Sequence, residues 1–81
     1  MIFLKKVYVD VMAEYKTNGY VNPLWVVWPD GRKFEIDKIL DVRKAASLNV
    51  GGTGIRFTCR MHGKETFLFL EESKWFMEGK D

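Results

Sequence analysis

Eighty-one residues, 47 % of them hydrophobic and 15 % aromatic, with a net charge of +2, fit one small folded domain spanning residues 1–81. This composition is too apolar for a disordered chain, and no apolar stretch is long enough to make a membrane-spanning helix. A chain of this length buries only about 60–65 % of its unfolded surface, so its core is thin. Three Trp, three Tyr and six Phe supply the bulk to fill it.

There is one cysteine, Cys59. Small secreted domains usually carry paired cysteines, so a reducing compartment and a cytoplasmic location are expected. The opening run Met1-Ile2-Phe3-Leu4-Lys5-Lys6 is too short for a signal-peptide core, and its charges fall on the wrong side. Between Arg32 and Lys64 eight basic residues face three acidic ones, so this stretch carries +5 and the remainder −3.

Turn signals recur at the spacing of an all-β sandwich or barrel. From Lys6 to Tyr15, Val7, Val9 and Val11 alternate with Tyr8, Asp10 and Met12, which is the period of a strand. Asn18-Gly19 marks a turn. Leu24 to Trp28 follows, opened by Pro23 and apolar on both faces, with Trp25 and Val27 opposite Leu24, Val26 and Trp28. Pro29-Asp30-Gly31-Arg32 is the clearest turn, and Lys33 to Asp37 should return as a hairpin with Phe34 and Ile36 inward. The segment from Lys38 to Leu48 reads as a strand continuing after a bulge to Arg43, or as a helical turn around Ala45, Ala46 and Leu48. The strand reading is favoured, with a loop through Asn49 to Gly54. Ile55 to Met61 alternates Ile55, Phe57, Cys59 and Met61 against Arg56, Thr58 and Arg60. His62-Gly63-Lys64-Glu65 turns the chain into Thr66 to Leu70, apolar on both faces. Glu71-Glu72-Ser73 turns it again into Lys74 to Met77, and Glu78 to Asp81 reads as a frayed tail.

About six antiparallel strands in a curled meander or a small, partly open barrel, comparable to SH3-like or OB-like barrels, are therefore expected.

No constellation here indicates an enzyme. Gly51-Gly52-Thr53-Gly54 lacks the helix that a phosphate-binding loop needs after it. Cys59 and His62 suggest a nucleophile with its base, or two metal ligands. Cys59, however, alternates with core residues, and a zinc site needs more ligands than the chain offers. Glu35, Asp37 and Asp41 are close in sequence, but an outward strand face gives no burial to split their pKa values. No cofactor and no metal are expected.

Two binding surfaces remain. Arg56 and Arg60, with Arg32, Arg43 and Lys44 as candidates to join them, suggest a basic β face for nucleic acid. Phosphates would meet the cations while bases stack on Tyr8, Trp25 or Phe67. The competing reading is a solvated face, salt-bridged to Glu35 and Asp37. Trp25 and Val27, with Phe67 and Phe69, exceed the needs of one thin core and suggest an aromatic surface for a protein partner or a second copy. Of the two, the protein-interaction module is the leading expectation, with nucleic-acid binding the alternative and no membrane association.

Three stretches also carry a resemblance: Trp28-Pro29-Asp30-Gly31-Arg32-Lys33-Phe34-Glu35-Ile36-Asp37, Leu40-Asp41-Val42-Arg43 and Lys74-Trp75-Phe76. Their order resembles a family of short bacterial proteins of unknown function, with similar segments appended to some accessory translesion DNA polymerases. The likeness spans roughly Val7 to Phe76 and rests on turn glycines and core aromatics. It implies a small β domain in a DNA-transaction setting and no catalytic residues. Cys59 and the Gly51–Gly54 loop lie outside its pattern.

Overall fold

A computed structural model describes residues 4–46 and 53–80. Eight strands appear in chain order: β1 (Leu4–Tyr8), β2 (Asp10–Tyr15), β3 (Val21–Val27), β4 (Lys33–Glu35), β5 (Lys38–Ala46), β6 (Thr53–Met61), β7 (Lys64–Glu71) and β8 (Lys74–Lys80). They form two antiparallel sheets, one of five strands in the order β1-β8-β7-β6-β5, the other of three in the order β2-β3-β4. Among the described residues there is no helix, hence none long and apolar enough to cross a membrane.

The six expected segments are all present, but two of them each serve both sheets. The run from Lys6 to Tyr15 breaks at Val9, whose N–H leaves the strand ladder and donates to the carbonyl of Trp75 at 3.1 Å. The run from Lys33 onward breaks at Ile36 and Asp37, whose N–H groups donate to Leu24 at 3.0 Å and to Arg60 at 2.8 Å. Strands that switch sheets at such corners tie the two layers together along both edges. The result is a partly open barrel and not a closed ring of hydrogen bonds.

Between the layers lies the core of Val26, Phe57, Cys59, Met61, Leu68, Trp75 and Met77, with Val9 at the corner. Phe57 and Trp75 pack with ring centroids 5.5 Å apart. Each such buried ring or aliphatic side chain contributes about 1.5–3 kcal/mol through removal from water. Alternation along β6 drives this arrangement. Ile55, Phe57, Cys59 and Met61 face the core, and Arg56, Thr58 and Arg60 face out, as the pattern requires.

Several boundaries differ from the sequence expectation. Strand β3 begins at Val21, so Pro23 is inside it and buried. Proline is tolerated there because β4 reaches only Trp25 to Val27, leaving an unpaired edge. The β2–β3 register also slips between Met12 and Ala13, so Leu24 is the extra residue of a bulge. Strand β5 runs past Arg43 to Ala46, with a bulge between Ile39 and Asp41. The helical-turn alternative for Ala45 and Ala46 is thereby excluded. Thr53 and Gly54 belong to β6, and the rest of the expected glycine loop lies outside the described residues. Of the expected frayed tail, Glu78 to Lys80 are instead strand, and Asp81 lies outside the described residues. Leu4 to Lys6 pair with Lys80 to Glu78, and Gly79 permits the close approach, since a Cβ there would lie 2.9 Å from Val7 Cγ2.

Candidate binding face

The outer face of the five-stranded sheet collects side chains from every one of its strands. One cross-strand row runs Arg43, Arg56, Phe69, Phe76, Tyr8, from β5 through β6, β7 and β8 to β1. A second row places Asp41, Thr58 and Phe67 side by side, and a third Lys38, Arg60 and Glu65. Three of the five residues expected to form a basic face, Arg43, Arg56 and Arg60, therefore share one surface with Phe67, Phe69 and Tyr8.

Within this surface the rings make a ladder. Phe69 and Phe76 stack with centroids 4.9 Å apart and planes 5° apart. Tyr8 meets Phe76 edge-on at 5.9 Å, and Phe67 lies 6.4 Å from Phe69. The two inner rungs are covered: Phe76 is 2 % exposed and Phe69 7 %. The two ends are open, with Tyr8 55 % and Phe67 44 % exposed. Each open ring has a cation beside it. The Arg56 guanidinium carbon lies 4.6 Å from the Phe67 centroid, and Lys74 Nζ lies 5.9 Å from that of Tyr8. Lys6 caps the buried Phe76 at 4.6 Å and pairs with Glu71 Oε1 at 3.5 Å.

The charges are unevenly satisfied. Arg43 and Arg56 sit directly opposite each other, an arrangement that costs a few tenths to about 1 kcal/mol for like charges. Arg43 Nε donates to Asp41 Oδ2 at 2.6 Å. Among the described residues Arg56 and Arg60 make no ion pair, and Arg56 Nε is buried without a hydrogen-bond partner. The expected salt bridges to Glu35 and Asp37 do not form. Glu35 is on the other sheet, 4.0 Å from Lys33 Nζ, and Asp37 is at the corner. Glu35 and Asp37 line one surface depression with Lys33 and His62, and Asp41 lies apart from them, paired with Arg43.

Other expected site residues lie elsewhere. Arg32 occupies the β3–β4 turn, its backbone N–H and Nε donating to Asp30 at 3.0 and 2.6 Å. Lys44 sits in register with Ile55, beside Tyr20 and Val42, where the barrel is open. Trp25 and Val27 look out from the three-stranded sheet, with Lys33 Nζ 4.0 Å above the Trp25 ring. They therefore form no continuous patch with Phe67 and Phe69. Cys59 is fully buried, its Sγ donating to the carbonyl of Phe57 at 3.7 Å, and burial pushes its thiol up to about 11. His62 is exposed in the β6–β7 turn with its ring against Phe34, so the pair Cys59 and His62 is not assembled. Among the described residues no group of three or more His, Cys, Asp or Glu side chains is placed to hold a metal. Phe76 is the member of the face that strand alternation alone underrates, because its neighbour Trp75 faces the core.

No family model, curated protein or solved structure matches the chain.

Proposed function

We propose that the chain is a small binding module for single-stranded nucleic acid, and that the outer face of the five-stranded sheet is its contact surface. The observation that carries this reading is the position of Arg56. Its guanidinium rests on an exposed ring, opposite a second arginine, with a buried Nε that no protein group satisfies. An unsatisfied buried donor costs about 1–3 kcal/mol, so a swing of the guanidinium outward to a phosphate oxygen, which gives its N–H groups a charged acceptor, is favoured. The open rings of Phe67 and Tyr8 offer flat apolar surface to unpaired bases, which duplexes do not present. The expected protein-partner surface has less support, since its four residues are divided between two sheets.

The test is fluorescence anisotropy with labelled single-stranded DNA, single-stranded RNA and duplex DNA at low and moderate salt. Binding is expected to prefer single strands. It should weaken with salt with a slope of about −0.7 per phosphate contact, and Arg56→Ala should lower that slope by about one contact. Absence of binding at low salt, or binding unaffected by Arg56→Ala and Arg60→Ala, overturns the reading.

A second reading keeps a protein partner or a second copy for the three-stranded sheet, where Met12 is 51 % exposed beside Trp25 and Val27. Light scattering across concentration, with Trp25→Ala as comparison, tests its self-association form.

A further inference from the structure

A cleft of about 420 Å³ lies between the β3–β4 turn of one sheet and the β6–β7 turn of the other. Its volume falls in the range of real ligand sites, roughly 300–1,000 Å³. Its floor is Met61 and Met77, both nearly buried, and Phe34 and Trp28 wall it. Thioethers on short flexible stems adapt to irregular apolar shapes, which suits a floor that receives a foreign side chain. The rim is of opposite character. Arg32 stands on one turn, His62 and Lys64 on the other, and no acidic residue lines the cleft. Arg32 lies 5.5 Å from the Phe34 centroid and the His62 ring meets Phe34 edge-on at 5.4 Å, so both rim groups rest on the same apolar wall. Of the Arg32 guanidinium Asp30 engages Nε alone, and Lys64 makes no ion pair among the described residues.

We infer that this cleft docks a short acidic peptide segment of a protein partner, with one bulky apolar side chain inserted between the two turns. Charge complementarity selects the occupant. The cations stand on separate hairpins across an apolar floor, so the matching ligand carries negative charge on both sides of an apolar group. A polypeptide with acid, apolar and acid residues in succession has that layout, whereas a small aromatic acid carries its charge at one end. The cleft is separate from the outer face of the five-stranded sheet, so this inference stands independently of nucleic-acid binding. With both sites occupied, the chain would join an acidic segment of another protein to a nucleic-acid strand.

The experiment is a titration of the ¹⁵N-labelled full chain with an acetylated hexapeptide, a leucine–phenylalanine pair flanked on each side by two acidic residues. The indole N–H signals of Trp28 and Trp25 are followed. A saturable shift of Trp28 with Trp25 unmoved is expected, and Lys64→Glu, a change at an exposed position, should weaken binding about tenfold. Replacing the acids of the peptide by lysines should abolish the shift. The inference is overturned if Trp28 does not move, or if Lys64→Glu binds as tightly as the unaltered chain. It is equally overturned if a peptide with glycine and serine in place of leucine and phenylalanine binds as well. A Trp28 shift on dilution of the protein alone would assign the cleft to a second copy and also overturn it.

Discussion

The two outer faces of this molecule use the same residue types to different ends. On the three-stranded sheet Lys33 lies over Trp25, and Glu35 beside it is within 4.0 Å of the ammonium. Cation, ring and carboxylate form a closed set on that face. On the five-stranded sheet Arg56 lies over Phe67 but finds no carboxylate, and the residue opposite it is another arginine. The first arrangement is a solvated surface at rest; the second leaves a cation and a donor in need of a partner. A ring with a cation above it is therefore weak evidence of a binding site until the acid that would complete the set has been sought.

Removal of the rings should separate the two faces most sharply. Phe76 is an outward residue by register yet almost fully covered, stacked on Phe69 and capped by Lys6 and Tyr8. Phe76→Ala should cost about 3–5 kcal/mol, as for a core ring. Trp25→Ala, on a half-buried ring, should cost about 1–2 kcal/mol. Urea unfolding followed by circular dichroism measures both. Equal losses would mean that the ladder is no second core and that the contrast between the faces is superficial.

Oligonucleotide affinity is the next discriminator. Phe67→Ala should cost about 1–3 kcal/mol of single-strand binding, the usual worth of one stacked base, and Arg56→Ala a similar amount. Lys33→Ala on the opposite face should change nothing. Affinity loss from Lys33→Ala equal to that from Arg56→Ala would erase the distinction and leave only a diffuse positive charge.

Strand content was legible in the sequence because period-two alternation and turn chemistry agree, above all at Ile55 to Met61 and Pro29 to Arg32. Gly31 takes φ 92° and closes its turn through hydrogen bonds of 2.8 Å between Trp28 and both Arg32 and Gly31, as that tetrapeptide dictates. The corners at Val9 and Ile36 were not legible, because a strand that changes sheets keeps the same alternation on either side of the break. Pro23 misled for a related reason: whether a proline is tolerated depends on how far the neighbouring strand extends, which is a tertiary fact. The basic face was partly legible. Arg56 and Arg60 declare themselves by alternation within one strand. Arg43 joins them only because the bulge between Ile39 and Asp41 resets its face, and Arg32 is absent because it stands on the β3–β4 turn of the other sheet.

The hairpin turns extend the comparison at smaller magnitude. In the three-stranded sheet the left-handed position is filled by Gly31, and Gly31→Ala should cost about 1–2 kcal/mol. In the five-stranded sheet Glu72 and Ser73 hold φ of 49° and 67° without a glycine. Ser73→Gly should therefore stabilise the ladder-bearing hairpin by about 0.5–1 kcal/mol, the relief of left-handed strain less the added unfolded-state entropy. Thermal denaturation of the two variants checks the opposite signs. If Ser73→Gly destabilises, that turn carries no strain worth relieving.

The smallest effect bears on whether Arg32 is spoken for. Asp30 is held below its ordinary value of 3.8, first by the backbone N–H of Arg32 and then by the arginine side chain. A carboxylate depressed in the folded state contributes stability that is present above the ordinary carboxylate range and is lost as pH falls through the folded value. Carbon-detected NMR titration should therefore place the Asp30 midpoint below 3.8. Arg32→Ala should raise it only partly, since the larger cause, the backbone N–H, survives the substitution. A full return to 3.8 in Arg32→Ala would make the side chain the dominant partner of Asp30. An unshifted midpoint in the unaltered chain would instead mean that Asp30 does not hold Nε of Arg32, so that the whole guanidinium, and not only its terminal nitrogens, stands open to an anionic ligand at the cleft between the β3–β4 and β6–β7 turns.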